Sequence, residues 1–284
     1  PGNTNAPALS SSLGVIDNLL AGRGEVDLHD KVELVGDLSW RFRREAFDDP
    51  NSELGLGAQK TRDRYQQPNL GLSAGIEPTK WLRLVPSGRL SIDSYTPLTE
   101  LGEADSEGAR LRLASTVKLA VDLSLWEGRI TLMPTGTLHV VDNRSLGTVP
   151  YTTSPNLTGD DVLVVAGSPG LAFAFRPFDW ITIRASAVAF AFRAPTFSEL
   201  FGDRGSIAGR PGLRPEKAHV VDAGVRLRSP TDPMIRGSFE AGAFAVDTRD
   251  TIVWGVNSQG VATPGNLGRT FVSGAELAGR VEAL

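Results

Sequence analysis

The sequence predicts an all-β fold: part of an antiparallel, up-and-down transmembrane β-barrel. Three observations lead there. Alternation of apolar and polar residues persists well beyond an ordinary strand, connections alternate between short and long, and tryptophans border the short ones. A strand places successive side chains on opposite faces, so a period of two marks a sheet with one apolar and one wet face. Crossing a membrane takes roughly 9 to 11 such residues, against about 5 to 6 in a soluble strand.

Taken in order, a first strand is predicted near Leu13–Leu20, closed by the link Ala21–Glu25 (AGRGE). In Val32–Phe42, Val32, Leu34, Leu38, Trp40 and Phe42 share one face, and Glu33, Asp37, Ser39 and Arg41 the other. Leu82–Ile92 follows the tight link Glu77–Lys80. In Leu111–Leu125, Leu111, Leu113, Val117, Leu119, Val121, Leu123 and Leu125 oppose Arg112, Thr116, Lys118, Asp122 and Ser124. Ile130–Val140 comes after Trp126–Arg129, Leu163–Phe175 precedes Arg176–Asp179, and Val221–Leu227 leads through Ser229–Pro233 to Ile235–Ala245. A last strand starts near Phe271, for about ten or eleven in all. Each tight link carries Gly or Pro-Asp turn chemistry.

Between the tight links lie Arg43–Asn69, Asp93–Gly108, Asp142–Asp161, Arg193–Glu216 and Arg249–Arg269, long and polar. In a meander every second connection is at the same end, so all short turns fall at one end and all long loops at the other. That asymmetry characterises outer-membrane barrels. Trp81, Trp126 and Trp180 border short turns, where an interfacial aromatic girdle sits. An open sheet edge is not tolerated in lipid, so ten or eleven strands imply a larger parent barrel.

Composition excludes several classes. No stretch reaches 18 uninterrupted apolar residues, so a helical membrane protein is excluded. A net charge of -4 and a pI near 5.5 leave no basic footprint for nucleic acid. With 0 cysteines there is neither a disulfide framework nor a thiolate metal site, and the compartment is left open. His29, His139 and His219 are far apart, lack metal-ligand spacing and are expected on polar strand faces. No Gly-x-Ser-x-Gly elbow or phosphate-binding glycine loop is present, so no catalytic residue, metal or cofactor is assigned. The acidic stretches Asp48–Glu53 and Gly102–Glu107 read as solvated loops or as contacts to cations bridging surface lipopolysaccharide, with Ca²⁺ ligation as the alternative.

Three stretches carry more information. In AFRAPTFSELFG (Ala191–Gly202), Pro195 lacks an N–H and restrains Ala194, so pairing ends there, and Ser198 and Glu199 open a helical turn. Arg193 and Glu199 are spaced for a rim ion pair; alternatively Arg193, Arg204 and Arg210 present cations to an anionic ligand. PGLRPEKAHVVDAGV (Pro211–Val225) brings the chain back from a long loop, with Leu213, Pro215 and Glu216 setting register for Val221, Ala223, Val225 and Leu227 on the lipid face. In NLGRTFVSGAELAG (Asn266–Gly279), Gly274 is expected to relieve a bend, while Glu276 faces the lumen opposite Leu277.

These three stretches resemble, in order and spacing, the C-terminal half of TonB-dependent outer-membrane receptors. The motif positions are Arg193, Ala194, Pro195, Glu199 and Leu200; Leu213, Pro215 and Glu216; and Gly268, Gly274, Glu276 and Leu277. Arg210 stands where that family usually has Asn before Pro. The resemblance implies a 22-stranded parent barrel in the outer membrane of a Gram-negative bacterium, importing a ferric siderophore, cobalamin or similar metal chelate. It further implies a plug domain through which the TonB complex acts, with outer-membrane lipid and lipopolysaccharide around the wall. Residues 1–284 are expected to be a barrel fragment, with signal peptide, plug and C-terminal strands outside it. A passive porin or adhesin-type barrel and a soluble β-rich carbohydrate-binding protein are the alternatives.

Overall fold

The computed structural model describes residues 10–51, 53, 59–99, 109–146, 162–201, 207–210, 212–229, 235–258 and 261–283. Its elements are β1 (Ser12–His29), β2 (Val32–Asp49), β3 (Gln59–Thr79), β4 (Leu82–Thr99), β5 (Ala109–Leu125), β6 (Ile130–Leu146), β7 (Val162–Phe178), β8 (Ile181–Arg193), α1 (Phe197–Phe201), β9 (Glu216–Arg228), β10 (Ile235–Val256) and β11 (Ala262–Ala283). The strands form one sheet of 11 in sequence order, each antiparallel to the next, as the alternation predicts. Most strands run 17 to 22 residues, well beyond a membrane crossing.

Backbone hydrogen bonds fix the short turns along one end of the sheet. The Glu77 amide donates to the Lys31 carbonyl (2.9 Å), Ser124 to Trp81 (2.8 Å), Arg176 to Arg129 (2.7 Å) and Arg228 to Trp180 (2.8 Å). Each bond ties a tight turn to the foot of a later strand. The turn at Trp126–Arg129 reverses through three left-handed residues, Trp126, Glu127 and Gly128 (φ 49°, 55° and 80°). Only glycine adopts the last of these without steric cost.

Two boundaries differ from the sequence expectation. Ala21–Glu25 is not a turn: it lies within β1, paired with Val35–Ser39, and the chain reverses at Asp30–Lys31. Gly22 and Gly24 sit in extended backbone with open space beside them, so their glycines do not mark a reversal. The last strand begins at Ala262, not near Phe271. Likewise β2 continues to Asp49 and β3 starts at Gln59, shortening the connection expected over Arg43–Asn69. These extensions carry polar residues on both faces, which hides the period of two.

The two faces differ in kind. Outward, Leu38, Leu72, Val117, Leu119, Leu171, Val221 and Leu277 are 47 to 75% exposed. Contiguous apolar surface on this scale marks a membrane or partner interface. Trp81, Trp126 and Trp180 are exposed beside the tight turns, and Trp40, eight residues above Val32, and Phe42 lie on the outward face toward the other end of the apolar band. Inward, Arg83 joins Glu33 (3.1 Å) and Glu77 (3.5 Å), Arg226 joins Glu240 (2.7 Å), and Arg184 pairs with that same Glu240. These pairs line the wet face and leave the apolar one unbroken.

Candidate functional site

The site lies at the end of the sheet opposite the tight turns. It starts with a β-bulge. Below it, Val188 pairs with Val220; above it, Ala191 pairs with Ala218, so Ala189 and Phe190 together oppose His219. Phe190 takes left-handed backbone (φ 57°), and its carbonyl accepts a hydrogen bond from Ser168 Oγ (2.6 Å). One inserted residue exchanges the faces of everything beyond it. Arg193, which the pattern below the bulge would turn outward, therefore faces inward opposite Glu216.

There its guanidinium is held twice. Arg193 Nε and Nη2 donate to Glu216 Oε2 (2.6 Å) and Oε1 (2.8 Å), while Nη1 and Nη2 reach Glu199 (3.1 to 3.3 Å). Glu199 also accepts from the Thr196 amide (2.7 Å), and the Glu199 amide reaches back to Thr196 Oγ1 (3.3 Å). That reciprocal pair is a capping box, which starts α1 directly after Pro195. Glu216 Oε1 further accepts the Ile252 amide of β10 (2.7 Å). The Arg193 hydrogen bond, aided by that amide, holds the Glu216 carboxyl below its ordinary range, with burial opposing.

Around this network the motif stretches converge. Leu200, Leu213 and Ile252, each 4 to 8% exposed, form a buried apolar cluster. The Arg210 amide donates to the Glu199 carbonyl (2.8 Å) and the Leu213 amide to the Arg210 carbonyl (3.2 Å). Asn266 closes the other side: its Nδ2 donates to the carbonyls of Arg214 (2.9 Å) and Asp250 (2.7 Å), and its Oδ1 accepts the Arg214 amide (2.9 Å). Asp250 is left-handed (φ 56°) and pairs through its carboxylate with Arg214 (2.6 Å). From across the inner face, Arg112 of β5 donates to the Pro195 carbonyl (2.8 Å), anchoring the segment before α1 over the wet face of the wall.

Arg193, Ala194, Pro195, Glu199, Leu200, Leu213, Pro215 and Glu216 gather in one knot. Arg193 is not an unengaged cation: two carboxylates neutralise it. Arg210 is exposed at the rim, and Arg204 lies outside the described residues. Gly268 has open space beside it, opposite the left-handed Asp250. Gly274 relieves no bend. The β10–β11 register runs through Phe244 and Gly274 without a shift, and a Cβ at Gly274 would stand 2.8 Å from the Phe244 ring. The glycine makes room for the aromatic side chain on the inward face. Glu276 shares that face with Arg184 and Arg226, and Leu277 is 75% exposed on the other.

Arg112, Asp250, Ile252 and Asn266 were not singled out by sequence reasoning. Arg112 looks like any inward residue of an alternating strand, and an amide donor such as that of Ile252 has no side-chain signature. His139 lies inward against Thr116 Oγ1 (3.3 Å), but His219 shares the outward face with Val221, against Phe190 (ring centroids 5.0 Å). The bulge opposite His219 makes that room. Among the described residues, no group of three or more His, Cys, Asp or Glu is placed to hold a metal ion.

The family model described as TonB dependent receptor-like, beta-barrel, matches residues 3–282. Among solved structures, the copper transporter OprC superposes with a TM-score of 0.74 at 13% identity, over 93% of this chain and 43% of that one. The hemophore receptor HasR of Serratia marcescens, solved as a double mutant with its hemophore HasA and heme, gives 0.66 at 16%, over 96% and 47%. The ferric citrate transporter FecA gives 0.67 at 13%, over 94% and 39%. The chain thus spans less than half the length of each of these proteins. No curated protein matches it by sequence.

Proposed function

The chain belongs to the TonB-dependent receptor-like β-barrel family, and on that premise we propose that it supplies barrel wall and extracellular rim to an outer-membrane receptor that imports a scarce metal-bearing ligand. The observation that carries this reading is the two-faced sheet: an outward apolar band with aromatic residues toward each end, backed by an inward lattice of ion pairs. Such a wall is stable only with lipid on one side and water on the other. The family consists of receptors and transporters of the Gram-negative outer membrane, and no catalytic step is assigned to these residues.

The similar structures transport copper or ferric citrate or receive a heme-loaded hemophore, which supports a metal complex as the cargo class. Within the rim, Arg193 with Glu199 and Glu216 acts as a structural knot that fixes where the outer loops leave the wall. The exposure of Arg210 beside that knot supports it as a cation that meets an anionic ligand. Energy coupling belongs to a plug domain of the full-length protein, acting with TonB.

The test uses that full-length protein in its native membrane. Outer-membrane fractionation, a heat-dependent mobility shift, and uptake of a labelled ferric chelate that stops when TonB is deleted are the expected results. A steadily conducting channel indifferent to TonB would replace the reading with a passive pore.

A further inference from the structure

Two rows of cations lie on the outward face, at the end away from the tight turns. In β9, β10 and β11, Lys217 stands directly opposite Arg249, and Arg249 opposite Arg269. In β2 and β3, Arg44 stands directly opposite Arg64, with Arg62 two residues along the same face. All six are exposed. Directly opposed like charges weaken a sheet, so an antiparallel wall does not favour them unless something anionic covers them. The protein supplies little of it. Asp247 takes Arg269 (2.6 and 2.8 Å) and is left to share its one charge with Arg249, whereas Lys217, Arg44 and Arg64 make no ion pair among the described residues.

Their height is the second observation. Lys217 and Arg249 lie about ten residues above Leu227 and Phe239 near the tight-turn end, and Arg44 about twelve above Val32, which is where a membrane crossing ends. Each row tops an apolar column. Phe271 (65% exposed) lies two residues beyond Arg269 on the same face, toward the tight turns, and Phe42 and Ile16 (60% exposed) flank Arg44, whose guanidinium sits over the Phe42 ring (5.3 Å). Acyl chains against the apolar column and phosphates against the cations would satisfy both halves of one amphiphile. The outward positions nearby on β4, β5 and β7, such as Ile92, Leu113, Leu163 and Val165, are neutral, and on β6 the outward Asp142 and Arg144 pair with each other (2.8 Å), so among the described residues clustered positive charge is confined to the two patches.

We propose that Lys217, Arg249 and Arg269, and separately Arg44 and Arg64, are two binding sites for the headgroup phosphates of a phosphorylated lipid in the outer leaflet. The inference rests on the membrane-barrel reading above. Charge complementarity selects the lipid-borne phosphate over a protein partner, because the cations continue a lipid-facing surface and sit at its edge.

The experiment uses the full-length protein, purified in detergent and checked for its heat-dependent mobility shift. Retention of lipopolysaccharide, intact or enzymatically dephosphorylated, is counted by native mass spectrometry. The wild type is expected to retain intact lipopolysaccharide about tenfold better than the dephosphorylated form. Lys217→Gln/Arg249→Gln and Arg44→Gln/Arg64→Gln are each expected to lose about thirtyfold at their own site, as two juxtamembrane cations would. The inward variant Arg89→Gln should retain it unchanged. Equal retention by either double variant and wild type, or indifference to dephosphorylation, overturns the proposal. So does full displacement by millimolar inorganic phosphate, which would mark a free-anion site. A protein that shifts and fractionates as a barrel while failing these tests refutes the lipid sites alone; one that neither shifts nor fractionates refutes the barrel reading itself.

Discussion

Arg193 shows how one side chain can hold three distant stretches of chain together. It is 41% exposed, but its carboxylate partners Glu199 and Glu216 are only 8% and 15% exposed, so removing the cation leaves two confined like charges facing each other. Arg193→Ala is expected to destabilise the rim by about 2 kcal/mol, less than a fully buried pair because the guanidinium is partly wet. The midpoint of the heat-dependent mobility shift measures it. Arg193→Lys should recover only part, since an ammonium cannot bind two carboxylates in the forked geometry seen here. The same pair sets a pH response. Glu216 is depressed in the folded state, so its contribution is complete above the ordinary glutamate value of about 4.3 and is lost as pH falls through the lower folded value. Protease nicking near residues 194–216 should rise as pH drops below that value in the wild type, and Glu216→Gln should remove the rise from this pair.

At the scale of elements, the bulge in β8 decides which way the motif points. Deleting Ala189 restores simple alternation and sends Arg193 to the lipid side, so the deletion should lower the mobility-shift midpoint at least as far as Arg193→Ala does. Strand β11 depends on a different device, the space that Gly274 leaves for Phe244. Gly274→Ala is expected to cost about 1 to 2 kcal/mol by overpacking, and Gly274→Ala/Phe244→Leu to recover most of it in denaturant unfolding. Most strand positions were legible in sequence because lipid exposure demands an unbroken apolar face, as Leu111 to Leu125 shows. The site was legible only in part. Arg193, Glu199 and Glu216 stand in recognisable motifs, but Arg112 reaches Pro195 across 83 residues of sequence, and the backbone partners of Asn266 leave no mark in the pattern. The β1–β2 reversal was misplaced because glycine in an extended strand looks, in sequence, like glycine in a turn.

The whole molecule is a wall whose two solvents dictate opposite tolerances. Val221, paired with Ala187 and Ala245 in the middle of the apolar band, should not accept charge: Val221→Arg is expected to cost about 2 to 4 kcal/mol near the bilayer midplane, read as lost membrane insertion. Arg184→Gln, on the wet face two strands from Glu240, should insert normally. The count of strands has a consequence of its own. With 11 strands, β1 and β11 run in the same direction, both away from the loop end and toward the tight turns. Joining them edge to edge would make a parallel seam, and so would a second copy of the sheet in the same orientation. Antiparallel closure therefore calls for an odd number of further strands, a matter of parity that holds whatever the ligand.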